Sequence, residues 1–305
     1  MPQDNTEMDS PHSARYLGPW RDYWWNEDYL NLISKRLNFS AFHRVLDLGC
    51  GVGHWGRALA RFLPQEARIV GLDREEKWVG QAKENAQSKE SFKNFEYQTG
   101  LAENLPFHDN SFDLITCQTL LIHVADVKKV IQEMRRVLKP GGLILLSEPN
   151  NLTQSLTLSS LEADLNVEKI TQKVKFLLCC QKGKEKLHKG FNSMGDHLPK
   201  IVTQAGFEDL QIYTNDKTSP LIPPYESEEQ QILVKQILEW CAEDSFVWPR
   251  DEAQEYFFAG GGNVEEFKVI WPEMLKYNQE LANAIQNKTY WATHACTHYL
   301  ISGRK

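Results

Sequence analysis

Between residues 44 and 147, short apolar runs alternate with amphipathic stretches. The segments 44–48, 68–72, 112–117 and 142–147 have the length and β-branched content of buried strands, and 95–98 is extended. The intervening segments carry helical spacing. Trp55, Leu59, Phe62 and Leu63 share one side of 55–63, and 75–88 is helical and charged. In 124–138, Val127, Val130, Ile131, Met134 and Val137 form one face. Strands alternating with helices predict an α/β domain with a parallel sheet covered by helices on both faces. Lys139-Pro140-Gly141-Gly142 reads as the stop between a helix and the next strand.

The alternation breaks after Pro149. Residues 151–190 read as added helix, with Val167, Ile170, Val174, Leu177 and Leu178 in phase. It resumes with a helix over 198–205, ended by Gly206, and a strand over 210–214. A second insertion spans about 217–288. It holds a helix through Ile232, Leu233, Ile237 and Trp240, a dividing loop at Gly260-Gly261-Gly262, and a further helical segment begun by Pro272. The Thr- and aromatic-rich stretch 290–302 predicts a long closing strand. Ahead of the alternation, 1–13 is a polar tail expected to be disordered. Tyr16, Trp20, Tyr23, Trp24, Trp25 and Tyr29 then make a dense aromatic helical stretch. The organisation expected is a core of 14–150, 191–216 and 289–305, with 151–190 and 217–288 as helical lid insertions.

Composition narrows the partners. The chain of 305 residues is 41% hydrophobic and carries a net charge of −7, which disfavours a long anionic duplex as partner. Six cysteines show no CxxC spacing and no histidine cluster, so neither a zinc site nor a disulfide framework is expected. The start lacks the basic and apolar regions of a signal peptide, and no apolar stretch reaches bilayer-spanning length. The expectation is a reduced, cytoplasmic, soluble protein.

The chemistry concentrates at Val45-Leu46-Asp47-Leu48-Gly49-Cys50-Gly51-Val52-Gly53, a strand end followed by a helix. Glycines here let backbone approach a ligand closely, and the helix start adds free N–H groups. Gly51, Gly53 and Gly56 also spell the GxGxxG of dinucleotide enzymes. Asp47 separates the readings, because a carboxylate there repels a pyrophosphate but attracts an ammonium. The plainer role for Asp47 is a helix or turn cap. Asp73 ends the second strand and can accept hydrogen bonds from both hydroxyls of a ribose. Arg74 and Trp78 follow it, to border an adenine or simply to pack. After the third strand comes Gly100-Leu101-Ala102-Glu103.

These motifs, in this order, resemble the class I S-adenosylmethionine-dependent methyltransferases, especially the group that includes ubiquinone/menaquinone C-methyltransferases and small-molecule methyltransferases. The match runs through Asp47 to Gly53, Asp73, Ala102-Glu103, residues 112–117 and Leu138-Lys139-Pro140-Gly141-Gly142, and resumes at 198–214 with Ala205-Gly206-Phe207. The resemblance implies a Rossmann-like, seven-stranded, mostly parallel sheet with a final antiparallel strand, and S-adenosyl-L-methionine as cofactor. It places Asp47, Gly49 and Gly51 at the methionine end, with Cys50 inert at a variable position of the run and Gly53 closing it. It places Asp73 at the ribose, Leu101, Ala102 and Glu103 near adenine, and Gln118 against cofactor or acceptor. The acceptor expected is a small molecule. An RNA- or protein-directed methyltransferase and a non-catalytic cofactor-binding interaction protein are the alternatives.

Methyl transfer from a sulfonium is mainly a positioning problem, and a base is needed only where the acceptor loses a proton. His123, just past the fourth strand, is the candidate base. Trp20 or Tyr23 is expected to face the site, where an aromatic face attracts a sulfonium. His54 is expected to pack or cap. The lysines 169, 173, 175, 182, 184, 186 and 189 make the first insertion locally basic: a solvated face, or one suited to an anionic substrate or a peripheral membrane contact. Phe257, Phe258 and Gly260–Gly262 read as either a mobile flap or core plus a loop. Lid and oligomer interface remain equal readings of the insertions.

Overall fold

The computed structural model describes residues 17–87 and 94–305. The expected tail over 1–13, Tyr16 and the expected helix end at Ser88 lie outside the described residues. A 3-10 turn (Pro19–Tyr23) and α1 (Glu27–Arg36) precede β1 (Arg44–Leu48), α2 (His54–Ala60), β2 (Arg68–Asp73), α3 (Glu76–Gln87), β3 (Phe95–Thr99), β4 (Phe112–Gln118), α4 (Val127–Val137) and β5 (Leu138–Asn150). The first insertion holds α5 (Asn151–Gln154) and α6 (Val167–Lys186). Then α7 (Leu198–Gln204) and β6 (Glu208–Thr214) rejoin the core. The second insertion holds α8 (Glu228–Cys241), the small pair β7 (Ser245–Phe246) and β8 (Trp248–Pro249), α9 (Arg250–Ala259) and α10 (Val264–Gln286), before β9 (Thr297–Arg304) closes the sheet.

The sheet order is β3-β2-β1-β4-β5-β9-β6. Pairing is parallel from β3 to β5, and β9 runs antiparallel to both β5 and β6. This is the Rossmann-like seven-stranded sheet expected. Its central strands are buried on both faces, which is why they read as continuous apolar runs. Val45 belongs to the core on one face, with Leu30, Ile33, Trp55, Leu114 and Leu145; Leu46 and Leu48 belong to the other, with Ile115, Ile131, Met134 and Leu198. The order reverses between β1 and β4, so the crevice for a ligand opens outside their carboxyl ends.

The insertions build two apolar cores of their own. One gathers Phe176, Phe246, Trp248, Phe257, Phe267 and Trp271; the other gathers Leu221, Tyr225, Ile237, Leu281, Ile285 and Tyr290. Two expectations change here, and one open reading is decided. Pro272 does not begin a new segment but lies inside α10, because buried Phe267, Ile270, Trp271 and Met274 hold the helix on both sides of it. The closing strand is Thr297–Arg304 rather than 290–302: Tyr290 is buried in the insertion core and Ala292 bridges to Leu221, so 290–296 leaves the sheet. Phe257 is fully buried, with its ring 5.5 Å from Phe176, so Phe257 and Gly260–Gly262 are core plus a turn rather than a flap.

A Cβ at Gly183 would lie 1.7 Å from the Tyr256 carbonyl oxygen, and one at Gly260 would lie 1.9 Å from that of Cys179. Helices α6 and α9 therefore cross in backbone contact. Gly183→Val forces them apart at a cost of about 3 kcal/mol, which lowers the melting temperature by roughly 5 °C or more. A melting curve superimposable on the wild type would contradict the close crossing.

The lysine-rich face is not a free basic patch. Lys169, Lys173, Lys175, Lys182 and Lys189 pair with Glu273, Glu162, Glu266, Glu185 and Glu255, and Lys184 is buried. Among the described residues no helix is long and apolar enough to cross a membrane.

Candidate functional site

The chain leaves β1 through Gly49, Gly51 and Gly53, at φ +68°, +50° and +82°. Glycine adopts this left-handed backbone without steric cost. Close packing adds a second reason: a Cβ on Gly49 would sit 2.6 Å from the Leu120 side chain, and one on Gly53 would sit 2.6 Å from the Tyr97 hydroxyl. The Gly49 N–H donates to the Leu72 carbonyl at 2.7 Å, tying the turn to β2.

Asp47 is 2% exposed. Its Oδ2 accepts from the Gly56 N–H at 3.0 Å, so it does cap the first turn of α2. Its Oδ1 is buried with no partner among the described residues. Burial pushes this carboxyl up to about 7, with the Gly56 bond acting against the rise and the nearby Asp73 adding to it. An unmet acceptor beneath a glycine turn is costly by about 1–3 kcal/mol, and an ammonium donor satisfies it.

Asp73 is fixed by two backbone donors, Gly51 N–H to Oδ2 at 2.9 Å and Glu75 N–H to Oδ1 at 3.0 Å. Each carboxylate oxygen retains a second lone pair, so a vicinal pair of hydroxyls can still be accepted. Cys50 turns its thiol into the small core of Val79, Ala82 and Tyr97 and contributes only backbone to the turn. Burial raises that thiol, which keeps it inert.

The other expected residues distribute as follows. Arg74 is exposed and pairs with Glu75 at 3.1 Å. Trp78 is half-buried with the Lys77 ammonium 5.0 Å from its ring. Leu101 is 57% exposed, and its carbonyl accepts from Asn104 N–H at 3.2 Å, closing a turn that presents half-buried Ala102 and Glu103. Gln118 is 6% exposed at the end of β4, and its Nε2 is buried without a partner. His123 is half-buried in the short turn Leu121–His123. That turn is held from the first insertion: Lys184 Nζ donates to the Ile122 carbonyl at 3.2 Å, and Gly190 packs directly against it. Trp20 packs against Trp24 and Trp240, and the Tyr23 phenol is raised by burial and by the nearby Glu228 carboxylate. His54, expected to pack or cap, instead pairs with Asp22 at 2.6 Å.

A half-open cavity of about 850 Å³ joins several of these groups. Gln118 and Trp78 line it together with Val52, His54, Arg21 and Trp25.

Three further groups meet at the carboxyl end of β4 and β5. Glu148 is fully buried, and its Oε1 accepts from Leu120 N–H at 2.9 Å and Leu121 N–H at 2.8 Å. Its Oε2 has no partner among the described residues, and burial pushes the carboxyl up to about 7. Arg21 donates to the Thr119 hydroxyl at 3.1 Å and sits over the Trp24 ring. Burial lowers its guanidinium to about 10, offset in part by Glu148. His298, buried between Trp24 and Trp25, is pushed down to about 3 by burial and by Arg21, so it is a neutral imidazole. Sequence reasoning missed Glu148, although it carries the signal that exposed Asp47 and Asp73: a carboxylate at the end of an apolar strand.

The chain is similar to several known proteins. The chain is 44% identical over 117 residues to YcgJ of Bacillus subtilis, named an uncharacterized methyltransferase, covering 38% of this chain and 45% of that one. The solved structure of YcgJ matches with a TM-score of 0.51 at 22% identity, over 92% of this chain and 99% of that one. The demethylmenaquinone methyltransferase of Oceanobacillus iheyensis is 34% identical over 129 residues, 42% of this chain and 52% of that one. The phosphoethanolamine N-methyltransferase 2 of Haemonchus contortus, solved in complex with S-adenosyl-L-methionine, matches with a TM-score of 0.51 at 16% identity, over 98% of this chain and 58% of that one. At these identities the structural likenesses are of fold, and the chain spans about half the length of the curated relatives it matches. The family model described as a methyltransferase domain matches residues 40–206, more than half of the 305, and the chain belongs to that family.

Proposed function

We propose that the protein is an S-adenosylmethionine-dependent methyltransferase acting on a small-molecule acceptor. The observation that carries this reading is the buried Asp47 carboxylate, whose unmet Oδ1 lies at the strand end before the glycine turn. A nucleotide pyrophosphate would be repelled there, whereas an amino-acid ammonium supplies the missing donor. The cofactor brings an activated methyl group on a sulfonium, and the chain's own tasks are binding, orientation and exclusion of water. Asp47 would hold the ammonium and Asp73 the ribose hydroxyls. The unmet Gln118 Nε2 suits a carboxylate, and the Ala102–Glu103 turn would border the adenine. Arg74 and Leu101, both exposed, would contribute backbone more than side chain.

The acceptor side rests on the insertions. Their separate cores make them a folded cover rather than loose loops, and α6 reaches the turn that carries His123 through Lys184. Such a cover suits a small molecule, and His123 would take a proton where the acceptor must lose one. The net charge of −7 and the internal pairing of the insertion lysines argue against an RNA or an anionic membrane surface.

Calorimetric titration tests the cofactor. S-adenosylmethionine and S-adenosylhomocysteine bind the wild type in the micromolar range, while NADH gives no heat. Asp73→Ala weakens both by about tenfold or more, the loss of hydrogen bonds to a charged acceptor. A wild type that binds neither ligand defeats the proposal.

A further inference from the structure

We infer that Arg21 is a positioning residue: with Glu148 it seats residues 17–23 as a strap over the glycine turn, and so forms the outer wall of the cofactor cleft. The inference rests on the cofactor reading above and adds a device that the glycine motif does not contain. The strap lies on the turn itself, since a Cβ on Gly51 would be 3.2 Å from the Leu17 side chain. Three fastenings hold it. Asp22 bonds His54 at the start of α2 at 2.6 Å, and Trp20 meets Trp240 of α8 edge to face, with centroids 5.7 Å apart. Arg21 reaches Thr119, 98 residues away, one residue past Gln118.

The Arg21 fastening differs in kind from the others. It enters the low-dielectric end of β4 and β5, where the Glu148 carboxylate is the charge that favours it. Glu148 also accepts from Leu120 and Leu121, and Leu120 is the side chain packed against Gly49. One carboxylate thus fixes the wall behind the glycine turn and attracts the strap in front of it. Arg21, Gln118 and Leu17 line the same half-open cavity as Val52 of the glycine turn, so the strap is part of its wall. Tertiary contacts of this sort, rather than the motif, determine whether a bound cofactor is shielded from water.

The test uses the full chain with Arg21→Met, Glu148→Gln and the double variant. It reads S-adenosylhomocysteine affinity by calorimetry and deuterium uptake of the peptide over residues 17–26, with melting curves as a check on folding. Each single variant is expected to weaken the ligand by about tenfold and to speed exchange in the strap, and the double variant to be no worse than either single. Additive losses in the double variant, or strap exchange unchanged in Arg21→Met, would overturn the inference. Should the wild type bind no S-adenosylhomocysteine, the cofactor reading fails. The seating of the strap is then still judged by exchange in the ligand-free protein, where Arg21→Met must still loosen residues 17–26.

Discussion

Asp47→Asn is expected to weaken S-adenosylhomocysteine binding by about two orders of magnitude, the penalty for leaving one member of a buried charge pair without its partner. The same substitution is expected to stabilise the ligand-free protein at alkaline pH. The wild-type carboxyl titrates near 7 when folded, against 3.8 for an unperturbed aspartate. A raised carboxyl pKa means that the folded state holds the proton more tightly, so this group's contribution to stability is fully present below pH 4 and lost as the pH rises through 7. Burying the charge costs on the order of 4 kcal/mol at pH 8, an upper figure for a shift of this size. Asparagine never carries that charge. The variant should therefore melt a few degrees higher than the wild type at pH 8 and level with it near pH 4. Wild-type affinity should fall as the pH drops below 7, because the neutral carboxyl no longer attracts an ammonium. Unaltered affinity in Asp47→Asn would remove Asp47 from the site.

The glycine turn and the carboxylates of Asp47 and Asp73 beside it were legible as a candidate site because their geometry is local. A strand, a turn and a helix start lie within a dozen residues, and the left-handed angles at Gly49, Gly51 and Gly53 are what the glycines are there to permit. The alternation of strands and helices was legible for a related reason, since burial on both faces writes each central strand as an unbroken apolar run. Arg21 left no such trace. Its meaning comes from Thr119 and Glu148, which only the fold brings to it, and an arginine among tryptophans reads as surface until that contact is known. Trp20 was conspicuous for its size, yet it fastens the strap to α8. Pro272 misled in the opposite direction, because a local rule about proline yields where flanking Trp271 and Met274 are buried. Local chemistry could be read directly, whereas groups that act through distant partners needed the fold.

Phe176→Ala separates the roles of core and insertions. Phe176 is fully buried, with Phe246, Phe257, Phe267 and Trp271 around its ring at 5.5–6.4 Å. Truncating it costs about 3–5 kcal/mol, the transfer of the ring plus the cavity left behind. That loss falls on an apolar cluster distinct from the two clusters that flank the sheet. The glycine turn, Asp47 and Asp73 stand on the sheet, so S-adenosylhomocysteine affinity should stay within about threefold of wild type, the scatter expected for well-separated sites. The consequence reaches the acceptor side through α6, whose Lys184 holds the Ile122 carbonyl beside His123. Misplacing that turn by an ångström is worth on the order of a hundredfold in rate, and turnover with any acceptor found should fall accordingly. Hydrogen exchange should speed up in α6, α9 and α10 while β1 and β4 stay protected. Cofactor affinity lost in step with insertion stability would instead make the insertions and the sheet one cooperative unit, and the reading of the insertions as a separate cover for the acceptor would fall.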